Sequence, residues 1–281
     1  MNMEYFEQLW AQKEEEYESY REGDSKSWDE RVHEFTGDEP DERIDLITRF
    51  LIEKQILQET SMVLDIGCGP GKFALEFART SRKGQVVGVD ISPKMLEAAE
   101  NNLLAAGLDN VQFKYLDWHK VDLQALGWIN KFSLVTAIMS PAISNRKSLE
   151  KMTQASRGHC LLCHFLQRDS IGEELKKRIL GSQAGDKYGN KGLYCSFNLL
   201  WLANFYPQIF YLNTQRKVVR SLEETIRHYQ KRLGRRVALT SAQKADIADF
   251  LKSKAQNNQV TEIIKAKIGC VYWRNNSPTN K

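Results

Sequence analysis

No stretch of this chain approaches the ~20 consecutive apolar residues that a membrane-spanning helix needs. The opening residues, Met1-Asn2-Met3-Glu4-Tyr5-Phe6-Glu7, are acidic, with neither the basic start nor the apolar centre of an export signal. The expectation is a cytoplasmic protein with no membrane partner, its five cysteines reduced thiols. There is no internal repeat and no low-complexity tract. At 281 residues the chain can bury a full core, and one domain with elaborations is expected rather than two independent ones.

Two phosphate-binding loops are also missing. Lys72 follows Gly71, but the glycine that a GxxxxGK[ST] loop needs five residues earlier is Ile66, and Phe73 stands where Ser or Thr belongs. The dinucleotide pattern GxGxxG fails from Gly67, which would need glycine at Lys72, and from Gly69, which would need it at Ala74. What is present is Val63-Leu64-Asp65-Ile66-Gly67-Cys68-Gly69-Pro70-Gly71-Lys72-Phe73, an apolar strand with a terminal acid, then glycines at every second position. Such a loop turns sharply, lets a ligand approach the backbone, and delivers a helix N-terminus suited to polar or anionic groups.

Further along, Gln85-Val86-Val87-Gly88-Val89-Asp90 is a second apolar run ending in an acid, 19 residues past Gly71. A carboxylate there can accept hydrogen bonds from two ribose hydroxyls. Ser92-Pro93 starts a helix with a good N-cap and an early proline, and Met95, Leu96, Ala99, Leu103 and Ala106 form its apolar stripe. Val111-Gln112-Phe113-Lys114-Tyr115-Leu116-Asp117 reads as a third strand ending in an acid. Together these features resemble the class I S-adenosylmethionine (SAM)-dependent methyltransferases, well over residues 60 to 165 and loosely beyond. The resemblance implies SAM as cofactor, bound by Asp65, Gly67, Cys68, Gly69, Gly71, Asp90, Ile91, Met95, Asp117, Trp118, Met139 and Ser140. Asp117 would be the contact to the adenine amino group.

Strands are expected near 62–66, 85–90, 111–116, 132–138 and 158–165 with helices between them, the alternation of a parallel sheet covered on both faces. A helix from Ser196 to Tyr206, a strand from Gln208 to Leu212 and a last strand over residues 266–273 follow. The fold class is α/β, a Rossmann-like seven-stranded mostly parallel sheet with N-terminal helices (near 3–22, from Ser27, and near 41–57) and helical insertions. By the resemblance, the last strand inserts antiparallel between strands five and six. Residues 1–58 are read as an N-terminal helical cap, and 59–281 as the SAM-binding domain with insertions near 170–192 and 217–258. Ser221 with Glu224 makes a capping box for the first helix of the second insertion, and Thr240 or Ser241 can cap the second.

The net charge of +4 is unevenly spread: residues 1–60 carry 7 Lys/Arg against 18 Asp/Glu, and residues 166–281 carry 21 against 9. Solvated helices explain this, as would packing of the two ends within a chain or across a homodimer. The basic residues are diluted over several segments, which makes nucleic acid an unlikely partner.

Methyl transfer from a sulfonium needs an in-line acceptor and a pocket that excludes water, so no triad is required. His119 is the weak candidate for a base, with a solvated loop histidine as the plainer reading. Trp118 could lie on the adenine or anchor the core. Trp28, Asp29, Arg31, His33 and Phe35 could line the acceptor pocket or form a packing helix. At the end of the fourth strand, Met139-Ser140-Pro141-Ala142 replaces the [DN]PP[YF] of enzymes that methylate nucleic-acid amino groups. Cys160-Leu161-Leu162-Cys163-His164 spells a haem-attachment motif, but it lies in an apolar strand, and neither haem nor metal is expected. The expected function is methyl transfer to a small molecule, with the insertions around the acceptor; Tyr188, Tyr194, Phe197 and Trp201 could line its pocket or equally form the core face of the 196–206 helix. The alternative is RNA or protein methylation through the basic C-terminal half, including Lys231-Arg232 and Arg235-Arg236.

Overall fold

The computed structural model describes residues 1–15, 25–37, 41–181, 191–235 and 237–275. Its strands are β1 (Met62–Ile66), β2 (Gln85–Asp90), β3 (Val111–Tyr115), β4 (Phe132–Ile138), β5 (Ser156–Asp169), β6 (Gln208–Ser221) and β7 (Gln259–Arg274). They form one sheet in the order β3-β2-β1-β4-β5-β7-β6. The pairs β1–β2, β1–β4, β2–β3 and β4–β5 are parallel. The order therefore reverses between β1 and β4, the crevice where open α/β sheets bind ligands at the carboxyl ends of their strands.

The chain divides into two compact units: Met1–His164 with Asn190–Leu212 and Gly269–Lys281, and Phe165–Gly189 with Asn213–Ile268. In the first, β1 reads as a continuous apolar run because both faces are covered: Val63, Leu64 and Ile66 have no exposed surface. Each such side chain contributes about 1.5–3 kcal/mol on burial. Helix α4 (Lys72–Thr80) turns Ala74, Leu75, Phe77 and Ala78 inward. Helix α5 (Pro93–Ala106) starts at the Ser92 N-cap and ends on left-handed Gly107, and of its expected stripe only Met95 and Ala99 are buried. Before the sheet come α1 (Met3–Glu15), α2 (Ser25–Asp29) and α3 (Glu42–Glu53). Helix α6 (Arg146–Ala155), with an Asn145/Ser148 capping box, follows β4.

The second unit holds α7 (Ile171–Leu180), α9 (Leu222–Gly234) and α10 (Ser241–Lys254). Its core is Ile171, Leu175, Tyr229, Leu233, Ile247, Leu251 and Val260. Ser170, Ser221 and Thr240 cap the three helices, the last two in full capping boxes.

Several boundaries differ from expectation. Strands β5, β6 and β7 are longer, running on into the second unit. The added part of β6 buries only Val218 and carries no apolar alternation to read. Helix α8 (Lys191–Leu202) starts earlier than Ser196, because Gly192 at its beginning packs on His164, where a Cβ would lie 3.3 Å from the imidazole. It stops at Leu202, and the backbone then turns through positive φ at Asn204 and Tyr206. Tyr188, Arg236, most of the 183–192 loop and residues 16–22 of the first expected helix lie outside the described residues.

Candidate functional site

The glycine loop has the conformation its spacing requires. Gly67, Gly69 and Gly71 sit at φ of 68°, 55° and 77°, the left-handed region that a Cβ disfavours. Space separates the three. A Cβ at Gly67 would fall 2.0 Å from the Ser140 hydroxyl oxygen, and one at Gly71 would fall 2.4 Å from the Phe113 ring. A Cβ at Gly69 would meet nothing within 4 Å. Gly67 and Gly71 are bare because protein packs on them, whereas Gly69 borders open space.

Asp90 at the end of β2 holds this loop. Its Oδ2 accepts the Gly69 N–H at 2.8 Å and its Oδ1 accepts the Ser92 N–H at 2.9 Å. Burial raises its carboxyl above the usual range, and the N–H groups of Ser92, Gly69 and Ile91 work against that rise. A carboxylate has about four acceptor sites, so Asp90 can hold the loop through these N–H groups and keep acceptor capacity for a ligand hydroxyl. Asp65 has a different setting. It is buried, accepts the Thr136 hydroxyl at 2.8 Å, and burial with the nearby Asp90 charge pushes its carboxyl up to about 7.

After β3, Asp117 accepts the His119 N–H at 3.0 Å and pairs with Lys120 at 3.0 Å. Burial raises its pKa, but these partners outweigh it and hold the carboxyl below its ordinary value. Trp118 is 2% exposed and donates its indole N–H to the Ser148 carbonyl at 3.1 Å, so its ring faces are covered by protein. His119 is exposed. Lys151, from α6, donates to the carbonyls of Trp118, His119 and Val121 at 3.3, 2.9 and 2.9 Å and so fixes this turn. At the end of β4, Met139 takes φ 56° and Ser140 is buried against the loop, its hydroxyl accepting the Ala142 N–H at 3.2 Å. Parallel pairing brings the ends of β1, β2, β3 and β4 to one side, and with them Asp65, Gly67–Gly71, Asp90–Ile91, Asp117–Trp118 and Met139–Ser140. Met95 and Cys68 are buried beneath.

Thr136, Phe113, Lys151 and Asp29 are the contributors that sequence reading missed or left ambiguous. Asp29 accepts the Ser92 hydroxyl at 2.5 Å and the Lys94 N–H at 3.1 Å. Lys72 donates to the Gly37 carbonyl, a second tie between the N-terminal segment and the glycine loop. Arg31 lies over the Trp28 ring at 4.4 Å and the Phe35 ring at 5.5 Å, giving that cluster an internal packing role. Cys160 and Cys163 are buried in β5, and the Cys163 sulfur lies 3.0 Å from that of Cys270.

Residues 57–190 match the family model described as a methyltransferase domain. A 23S rRNA uracil-C5 methyltransferase, RlmD, of Shewanella sediminis is 35% identical over 92 residues, which are 32% of this chain and 20% of that one. An uncharacterised methyltransferase of Emericella nidulans, AN0656, is 39% identical over 75 residues, 23% of this chain and 26% of that one. The chain thus spans a fifth to a quarter of the length of these curated relatives. The solved structure of BH2331 from Bacillus halodurans, assigned provisionally to the methyltransferases, superimposes with a TM-score of 0.50 at 16% identity, covering 81% of this chain and 97% of that one. That likeness establishes the fold. With the glycine loop and the strand order, the match makes residues 57–190 a methyltransferase domain of the class I SAM-dependent kind, and SAM is the cofactor of that class. No helix among the described residues is long and apolar enough to cross a membrane.

Proposed function

We propose that this protein transfers the methyl group of SAM to a small-molecule acceptor. The observation that carries the cofactor side is Gly69: left-handed, bordering open space, and held by the same carboxylate, Asp90, that has acceptor capacity left for a ribose. Bound SAM supplies an electrophilic methyl on a positive sulfur. The chain orients it through the Gly67–Gly71 backbone, Asp90 and the turn at Asp117, with Met139 and Ser140 walling the far end. Trp118 contributes as an anchor of that turn. His119 is given no proton-transfer role, since a good nucleophile needs none.

The acceptor side rests on the helices beside the end of β4. Helices α1 and α8 pack together, Phe6 against Tyr194 with ring centroids 5.6 Å apart. Glu7 pairs with Arg146 at 3.2 Å, at the start of the helix that follows the Met139–Ser140 turn. A helical pair tied there supports a covered pocket that keeps water from the reacting atoms, the requirement of in-line transfer.

A second reading, an RNA acceptor, is favoured by one observation: a basic cleft in the second unit with no carboxylate among the described residues of its lining. One experiment separates the two. SAM with a labelled methyl group is incubated with the protein and an extract of its source, which is then fractionated. Label among small molecules supports the first reading, label in RNA supports the second, label in protein overturns both acceptors, and label in no fraction counts against methyl transfer.

A further inference from the structure

The longest stretch of one charge in the second unit lies outside the glycine-loop site. From Arg227 to Lys244 the sequence holds six Lys/Arg and not one Asp/Glu. The end of α9 and the beginning of α10 enclose a cleft of about 760 Å³ there, lined by Arg227, Lys231, Arg235 and Lys244 among others. The plain explanation is helix electrostatics, because cations near a helix C-terminus offset the negative end of its dipole. That covers Lys231 and Arg235 at the end of α9. It fails for Lys244, which stands in the first turn of α10, where the dipole disfavours a cation.

Three cations elsewhere in the unit have carboxylate partners. Arg178 makes a bidentate pair with Asp246 at 2.5 and 2.7 Å, Lys254 pairs with Glu174 at 3.1 Å, and Lys252 with Asp249 at 3.0 Å. Among the lining cations, Arg227 at the outer end pairs with Glu223 at 3.0 Å, outside the cleft lining. The positive end of α10 adds to the field of the cleft. The run of basic residues and the helix end together concentrate positive potential, the arrangement that draws anions.

The geometry points to a ligand carrying phosphate groups in series, and we propose that this cleft binds one. Arg227, Lys231 and Arg235 follow each other at every fourth residue, about 6 Å apart along the helix axis. A single phosphate would engage one or two of them. A row of phosphates would engage all three, with Lys244 closing from the opposite wall. Two sources share this chemistry: a small acceptor bearing a polyphosphate, and the backbone of a single-stranded RNA in a groove that tracks it. This binding needs no methyl transfer, so it and the function proposed above can fail separately.

The test measures binding to the whole protein without SAM. The probes are a labelled single-stranded RNA of about ten nucleotides and inorganic tripolyphosphate as competitor. Binding should weaken with salt, with a log–log slope of about −2 to −3, at about 0.7 per neutralised phosphate. K231E/K244E should weaken it at least tenfold and flatten that slope, and the single variants K231Q and K244Q should do so in part. K252E/K254E, with the same charge change on paired lysines, should leave it nearly unchanged. RNA binding that tripolyphosphate displaces at similar concentration assigns the site to a small polyphosphorylated ligand; RNA binding that resists displacement assigns it to RNA. Equal losses in both double variants, or no binding of either probe, overturn the proposal.

Discussion

Asp29 accepts the hydroxyl of Ser92 at 2.5 Å across 63 residues of sequence, and by this bond the N-terminal segment meets the cofactor side of the sheet. Ser92 is already committed as the N-cap of α5, accepting the Met95 N–H at 3.1 Å while its own N–H goes to Asp90. Its hydroxyl hydrogen is therefore free to bond outward, and Asp29 takes it together with the Lys94 N–H. A carboxylate so placed also favours the helix N-terminus. Asp29→Ala is expected to lower stability by about 1 kcal/mol and to loosen residues 25–37, while Asp29→Asn keeps most of both. Urea denaturation with limited proteolysis reads the two effects. An alanine variant with an unchanged midpoint and cleavage pattern would dismiss the tie.

The three loop glycines should separate by phenotype. Gly67→Ala and Gly71→Ala place a methyl inside 2.5 Å of Ser140 and Phe113, so both variants should fold poorly. Gly69→Ala meets open space and pays only the left-handed strain, about 1–2 kcal/mol. It should remain folded and lose SAM, because its methyl stands where the cofactor would approach. Thermal melts beside SAM titration decide it, and a folded Gly69→Ala with native SAM affinity would remove the loop from the cofactor site.

Asp90 is assigned two tasks, and truncation should show both. Asp90→Ala leaves the Gly69 and Ser92 N–H groups without their acceptor and takes away the carboxylate meant for the ribose. A charged hydrogen bond contributes about 1.5–3 kcal/mol, so SAM affinity should fall tenfold or more. Calorimetry with the variant checks this, and unchanged affinity would refute the ribose role.

The second unit offers a test independent of the cofactor. Tyr229 donates its hydroxyl to Glu262, 2.7 Å from either oxygen, and both residues are buried. Arg220 lies 3.9 Å away, and the Gly172 N–H points to the same carboxylate at 3.4 Å. Tyr229→Phe would leave a buried carboxylate short of a donor, at a cost of about 1–3 kcal/mol. A denaturation midpoint that does not move would show that water replaces the hydroxyl.

How legible each part was in the sequence follows from the range of the interactions. The glycine loop, Asp90 and the Ser92 cap are local: a left-handed turn, a strand end and an N-cap each demand particular residue types at fixed spacing. The Ser221/Glu224 box was readable for the same reason. The bond of Asp29 to Ser92, and the reach of Lys151 to three carbonyls, join distant segments through residue types that serve equally well on a solvated surface. Trp118 was ambiguous because an indole beside an acid suits either ligand or core, and only its bond to the Ser148 carbonyl shows the core side. The extension of β6 left little trace because it buries only Val218, and that of β7 because the two residues it buries, Val260 and the charged Glu262, do not read as an apolar alternation.

Asp65 makes stability depend on pH in a direction opposite to that of a salt-bridged acid. Burial, with the neighbouring Asp90 charge, lifts its carboxyl to about 7, while the Thr136 hydroxyl bond works the other way. Between about 4 and 7 the folded chain therefore holds a proton that the unfolded chain has released. Stability from this group is complete below the unfolded pKa, falls as pH rises toward 7, and is level above it. The full effect of a three-unit shift is about 4 kcal/mol, and Asp90, also raised, adds in the same direction. Asp65→Asn keeps an acceptor for Thr136 and cannot ionise. Urea midpoints of the two proteins should lie closest near pH 5 and diverge in favour of the asparagine variant by pH 8. A constant difference across that range would mean that Asp65 does not titrate there, and that its bond to Thr136 stabilises the carboxylate rather than the acid.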